Sequence, residues 1–302
     1  MRIFITGASG WIGSAVVPEL LRSGHEVIAL ARSDDAAAKL VARGARVLRG
    51  DLDDLETLRA GAADSDGVIH LAFRHDIAFS PEGMVTAAAV DRRAVDAIAL
   101  GLLGSGRPLV IASGTPAVPR RAATERDEPF AAGPAAARGA TAQAVVALAA
   151  RGVRSAVVRL PRSVHGEGEL HGFIPRLIQI ARDQGVSGYV ADGSSRWPAV
   201  HVLDAAHLFR LAVESAPAGS VLHGVGDEGV PTREIAEAIG RHLGVPTASV
   251  APDHFGFLGM VLAGDQSASS ALTREMLAWA PVHPGLIEDL SLGHYFAVAP
   301  RV

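Results

Sequence analysis

The chain has 302 residues, 49% of them hydrophobic, and a formal net charge of −4. That is enough apolar matter for one large α/β domain or a domain with a C-terminal lobe, and it excludes disorder of the whole chain. The absence of any basic block excludes nucleic acid as the expected partner, and the absence of cysteine excludes disulfides, thiolate catalysis and cysteine-bound zinc.

Short apolar runs at 2–6, 26–31, 45–49, 67–72, 108–112 and 153–159 predict strands. Between them, amphipathic segments at 14–23, 34–43, 54–62, 83–104 and 137–151 predict helices. This alternation predicts α/β architecture: a doubly wound parallel sheet of Rossmann type, with its ligand crevice at the carboxyl ends of the strands. Residues 114–136, with Pro116, Pro119, Pro129 and Pro134, read as a long loop over that crevice. Further helices are expected at 172–184, 203–215, 231–243 and 273–278, with a strand at 221–224. The division follows: residues 1–165 form a dinucleotide-binding domain, and 166–302 a smaller substrate lobe partly interleaved with the sheet. The first strand begins at residue 2, which argues against a signal peptide. The most hydrophobic stretch, Phe255 to Gly264, is far short of the roughly 20 residues that span a bilayer. A cytoplasmic protein without a membrane partner is the expectation.

The first strand runs straight into Thr6-Gly7-Ala8-Ser9-Gly10-Trp11-Ile12-Gly13 and then a helical pattern. A strand, a glycine-rich turn and a helix start make a cradle for a dinucleotide pyrophosphate. Gly7 permits the tight turn, Gly10 the close approach of phosphate to backbone, and Gly13 the packing of helix on strand. After the second strand, where an acid commonly binds the ribose 2′-hydroxyl, the residues are Arg32 and Ser33. Arg32 can form a fork on a 2′-phosphate with Ser33 assisting, so NADP is favoured and NAD is the alternative. Asp34 and Asp35 read as helix caps or first-turn residues.

The spacing T-G-x-x-G-x-x-G resembles that of extended short-chain dehydrogenase/reductases, the group that includes NAD-dependent epimerases and dehydratases. The resemblance runs along nearly the whole chain. Pro161, in Val-Arg-Leu-Pro-Arg-Ser-Val-His-Gly, resembles the R-P-x-x-V-Y-G segment of that family beside the nicotinamide. Trp197-Pro198-Ala199-Val200-His201-Val202-x-Asp204 and Thr273 to Pro281 resemble its later elements. The resemblance implies that Asp51 and Leu52 border the adenine. It also implies that Leu71, Ala72 and Phe73 pass beside the ribose and phosphates, while His70 is a packed residue. Ser113 matches the family's catalytic serine, with Thr115 adjacent. The family pair Tyr-x-x-x-Lys is absent: the only lysine is Lys39, the tyrosines are Tyr189 and Tyr295, and alignment puts Arg138 and Ala142 at the two positions. An arginine cannot donate a proton near neutral pH, but it can stabilise an oxyanion or hold an anionic group.

A substitute acid is then sought among the histidines. His75 is the favoured donor, because Asp76 beside it would keep it charged. His165, at the tyrosine position of V-Y-G, and His201 are placed on the substrate side, and Asp204 is read as the cap of the following helix. No metal-ligand spacing is present; His165 and His171 lie six apart without a fixed acidic partner. These readings imply a reductase, NADPH-dependent, of a small apolar carbonyl or conjugated enone. A non-catalytic NADP-binding redox sensor is the alternative, and a nucleotide-sugar epimerase or dehydratase ranks last. The helices at 83–104 and 137–151 are those through which family members often form dimers, so a homodimer is a further expectation by analogy.

Overall fold

The computed structural model of the chain describes residues 1–78, 80–129, 133, 136–256 and 258–297. Its first half follows the alternation in the sequence. In chain order it runs β1 (Arg2–Thr6), α1 (Trp11–Arg22), β2 (Glu26–Ala31), α2 (Asp34–Ala42), β3 (Arg46–Arg49) and α3 (Leu55–Ala63). Next come β4 (Gly67–His70), α4 (Pro81–Leu100), β5 (Pro108–Gly114), α5 (Ala136–Ala147) and β6 (Arg154–Leu160). The remainder is β7 (Ser163–His165), α6 (Phe173–Gln184), β8 (Ser187–Val190), β9 (Arg196–His201) and α7 (Val202–Ser215). Then follow β10 (Ser220–His223), β11 (Asp227–Pro231), α8 (Thr232–Leu243), β12 (Thr247–Val250), α9 (Leu258–Ala263), α10 (Ala271–Leu277) and α11 (Leu286–Ser291).

Seven strands form one parallel sheet in the order β10-β6-β5-β4-β1-β2-β3. The order reverses between β1 and β4, which makes this a Rossmann-like sheet with its switch point at the glycine turn. Side chains alternate across it. Ile3 and Ile5 of β1 face one core with Val16 and Leu20 of α1 and Leu208 and Phe209 of α7. Phe4 faces the other with Leu58 of α3, Ile98 of α4 and Val145 of α5.

The second half returns to this sheet before leaving it. β10 adds the edge strand beside β6, and α7 covers the same face as α1. A three-stranded sheet β11-β9-β7, the pair β12-β8 and helices α6, α8 and α11 enclose a separate core around Trp197, Ile235, Phe255 and Leu286. Some predicted bounds differ. The strand expected over 67–72 stops at His70, β5 runs on to Gly114, and α4 ends at Leu100 before a glycine-rich turn. The proline-rich loop does not lie free: Ala123 bridges to Ala268, and Glu125 accepts from Thr273 N and Oγ1 at 2.8 and 2.7 Å. Pro134 lies outside the described residues.

Candidate active site

The glycine turn is built by backbone crowding. Gly7 sits at φ +72°, and a Cβ there would lie 2.6 Å from Ala72 N. A Cβ on Gly13 would lie 2.2 Å from the Gly7 carbonyl oxygen. These two glycines therefore hold β1, α1 and the end of β4 together. Gly10 differs: it is exposed, and a Cβ there would meet only the Gly7 oxygen, at 3.3 Å. Its N–H is already given to that oxygen at 3.0 Å, so the group itself is not open to a phosphate, while its missing side chain leaves the approach clear. The open groups belong to the first turn of α1, which no side chain caps. An uncapped helix start beside an exposed glycine fits a dinucleotide pyrophosphate.

Around this turn the expected residues divide into open and spent. Ser9 is exposed and Ile12 half-buried. Trp11 is turned toward β7, where its Nε1 donates to the Val164 carbonyl at 2.7 Å. Arg32 is exposed at the end of β2 and forms no ion pair among the described residues. Ser33, not Asp34 or Asp35, caps α2, its Oγ accepting from Ala36 N at 3.2 Å. The Asp51 carboxylate is exposed and accepts from Asp53 N and Asp54 N, while Asp54 caps α3 and Leu52 enters the core. Pro161 is buried between β6 and β7.

At the ends of β4 and β5 stands a second group of side chains. Ser113 is the penultimate residue of β5 and 9% exposed. Arg138, in the first turn of α5, reaches back to donate from Nη2 to the Ala112 carbonyl at 3.4 Å, one residue from Ser113. Its guanidinium lies over the Phe73 ring, 4.1 Å from the centroid. The His75 ring meets the same Phe73 edge-on at 5.0 Å. Ala142, one turn along α5, is buried in the sheet core and leaves no cation at that position. Thr115 is buried, its carbonyl accepting from Gln266 Nε2 at 2.7 Å.

The charge expected on His75 is opposed by its surroundings. Arg74 takes Asp76, with Nε to both carboxylate oxygens at 2.9 and 3.1 Å. Burial and the neighbouring Arg138 then push the His75 pKa below the usual imidazole range. His75 is thereby disfavoured in its charged form, a weaker source of protons than the sequence reading required. Burial likewise lowers the Arg138 pKa, with Asp91 opposing it.

His165 is fully buried and bonds Asp289 Oδ2 through Nδ1 at 2.8 Å, so it presents no ring atom to a substrate. His201 caps α7, its Nδ1 accepting from Leu203 N at 3.3 Å, and stacks on His283 at 4.8 Å. Burial and the nearby imidazoles push its pKa down. Asp204, read as the cap of this helix, is instead buried and accepts from Val282 N, His283 N and His283 Nδ1. Tyr295 is buried too, donating to Glu169 Oε2 at 2.6 Å and accepting from Gly166 N at 3.0 Å.

One functional feature escaped the sequence reading. His70 is not merely packed. Its Nδ1 meets Thr6 Oγ1 at 2.7 Å and its Nε2 meets Asp91 Oδ1 at 3.2 Å. An ionised Asp91 only accepts, which puts the ring proton on Nε2 and makes Thr6 the donor to Nδ1. Thr6 Oγ1 in turn accepts from Ala72 N at 3.3 Å. The chain Ala72–Thr6–His70–Asp91 fixes the backbone at the crevice floor. Its sequence signal is slight: Thr6 and His70 end adjacent strands and are register partners.

Comparisons with known proteins agree with this architecture. The model of the NAD dependent epimerase/dehydratase family matches residues 3–223. An uncharacterized protein of Schizosaccharomyces pombe is 44% identical over 98% of this chain and 100% of its own. The 4-hydroxy-2-methyl-3-oxo-4-farnesyl-3,4-dihydroquinoline-1-oxide ketoreductase of Stigmatella aurantiaca is 32% identical, over 73% of this chain and 67% of its own. Among solved structures, a Thermus thermophilus UDP-glucose 4-epimerase in complex with NAD is 22% identical. It covers 99% of this chain and 100% of its own with a TM-score of 0.77, a likeness of fold.

Proposed function

We propose, from the premise that the chain belongs to the NAD dependent epimerase/dehydratase family, that it is an NADPH-dependent reductase of a small carbonyl compound or conjugated enone. The observation that carries this is a juxtaposition at the switch point. An open, uncapped helix start lies at the end of β1, and Ser113 and Arg138 lie at the end of β5, one strand beyond β4. The ketoreductase relative supports a carbonyl as the reacting group.

A bound nicotinamide supplies hydride to the substrate carbon. The first turn of α1 would hold the pyrophosphate, and Arg32, free of ion pairs among the described residues, would hold a 2′-phosphate. The Ser113 hydroxyl donates to the oxygen as negative charge grows on it. The proton comes from water or from His75, since residue 138 is an arginine. The Thr6–His70–Asp91 chain keeps the β4 end rigid beneath both sites.

A second reading has one specific support. With Arg138 and a buried Ala142 at the places of the family's tyrosine and lysine, the chain could bind NADP as a sensor without turnover. One experiment separates the two. Nicotinamide fluorescence measures NADPH and NADH binding, and a panel of ketones and enones is then assayed by NADPH oxidation. Turnover supports the reductase; tight binding with no turnover across the panel moves the protein to the sensor.

A further inference from the structure

We infer that Arg138 is a carboxylate clamp, and that the carbonyl substrate is an oxo acid with a single carboxylate. The carbonyl half of this statement rests on the reductase reading; the carboxylate half rests on Arg138 alone.

A guanidinium carries five N–H donors in a planar fork. Among the described residues, Arg138 uses one of them, in a long 3.4 Å bond to the Ala112 carbonyl. It forms no ion pair there. Other arginines around the crevice are better spent. Arg74 holds Asp76, Arg159 donates to the Asp127 carbonyl at 2.7 Å, and Arg162 donates to the Val261 and Gly264 carbonyls at 2.7 and 3.0 Å. Asp91, the carboxylate that attracts Arg138, is bonded to His70.

Phe73 covers one face of the guanidinium at 4.1 Å. Stacking of this kind takes the face and leaves the edge, where the N–H fork lies. A partly desolvated cation without an anion is unfavourable, and a carboxylate arriving at that edge restores the missing bonds in bidentate form. The His75 ring, 5.0 Å from the same Phe73 ring, adds a further polar neighbour. Ala142 gives no second positive charge. One unshared cation suits one carboxylate and suits a diphosphate poorly. The carbonyl that the clamp bonds, that of Ala112, stands one residue before Ser113 in β5. An acid held there brings a nearby carbonyl of the same molecule toward the serine hydroxyl.

The test is calorimetric titration of the protein, alone and saturated with NADP, using pyruvate, acetoacetate and the methyl ester of each. At least one acid should bind about tenfold or more tighter than its ester, the scale of one charge-assisted contact. Arg138→Gln should erase that difference, and Arg138→Lys should keep part of it. NADPH affinity should be unchanged in both variants, which checks that each is folded. Equal binding of acids and esters, no binding of either acid, or an acid preference surviving in Arg138→Gln would overturn the clamp. NADPH oxidation separates this from the parent reading. Acids bound through Arg138 without oxidation would leave the clamp and remove the reductase. Reduction of neutral ketones with no acid preference would leave the reductase and remove the clamp.

Discussion

Gly10 and Gly13 belong to one motif but meet different surroundings. A side chain at Gly13 would strike the backbone of the turn itself at 2.2 Å, whereas one at Gly10 would meet only the Gly7 oxygen, at 3.3 Å. Gly10→Val should therefore fold normally, by thermal unfolding, and lose dinucleotide binding; retained nicotinamide fluorescence enhancement would refute the cradle. Arg32→Ala should shift preference toward NAD by about one to two decades, since a charge-assisted contact is worth roughly 1.5–3 kcal/mol. Near-equal NADPH and NADH affinities in the unaltered protein would tell against the assignment at once. Ser113→Ala should lower kcat by about 10²–10³ with cofactor affinity intact, as expected for a donor whose bond strengthens in the transition state. Unchanged kcat would dismiss the serine. The glycines were legible because backbone crowding demands that residue type at that spacing. His75 was misread because proximity in sequence suggested an Asp76 partner, while the fork of Arg74 competes for the same carboxylate. Nor did the sequence reveal that the Tyr295 hydroxyl is locked in a buried hydrogen-bond pair with Glu169 and Gly166 N.

Elements of the first half were readable because β1, β4, β5 and β6 are mostly apolar runs buried on both faces, and the strands alternate with helical patterns. The short strands β7, β8, β9, β11 and β12 were not. They are three to six residues long and lie in small sheets whose pairing is decided by distant partners rather than local pattern. The loop after β7 shows how such tertiary ties carry chemistry. Glu169 lies buried there against Tyr295 of the C-terminal segment, and burial lifts its pKa from 4.5 to about 7. The folded carboxyl holds its proton over a range in which the unfolded one has lost it. The contribution is therefore full below 4.5, falls as pH rises, and is lost once pH passes about 7. The melting temperature should fall between about pH 5 and pH 8, and Glu169→Gln should remove that part of the fall. A variant whose pH profile matches the parent would show that Glu169 is already ionised in the fold.

Across the whole molecule, one carboxylate joins the part of the chain that returns to the Rossmann sheet to the C-terminal segment beyond it. Asp204 lies in the first turn of α7, the helix that packs beside α1, and is 1% exposed. Its oxygens accept from Val282 N at 3.0 Å, His283 N at 3.1 Å and His283 Nδ1 at 2.8 Å. Its own carbonyl accepts from Trp279 Nε1 at 3.1 Å, and the Trp279 ring is buried in the same core as α1 and α7. The family resemblance marked this aspartate, but a first-turn carboxylate reads in sequence as a cap, and only the fold shows that His201 caps the helix. Removing the side chain would leave two backbone N–H groups and an imidazole without their acceptor at a partly buried place. Each such loss costs about 1–3 kcal/mol, so Asp204→Ala should destabilise the protein by roughly 2–4 kcal/mol once partial rehydration is allowed for. Because Trp279 belongs to the core of α1 and α7 and the segment after His283 leads into α11 of the second core, the loss should be felt by both. Denaturant unfolding followed by tryptophan fluorescence and by circular dichroism should shift together to a lower midpoint. If the fluorescence transition moved alone, residues 279–283 would be an appendage that unfolds independently, and Asp204 would anchor only a local turn.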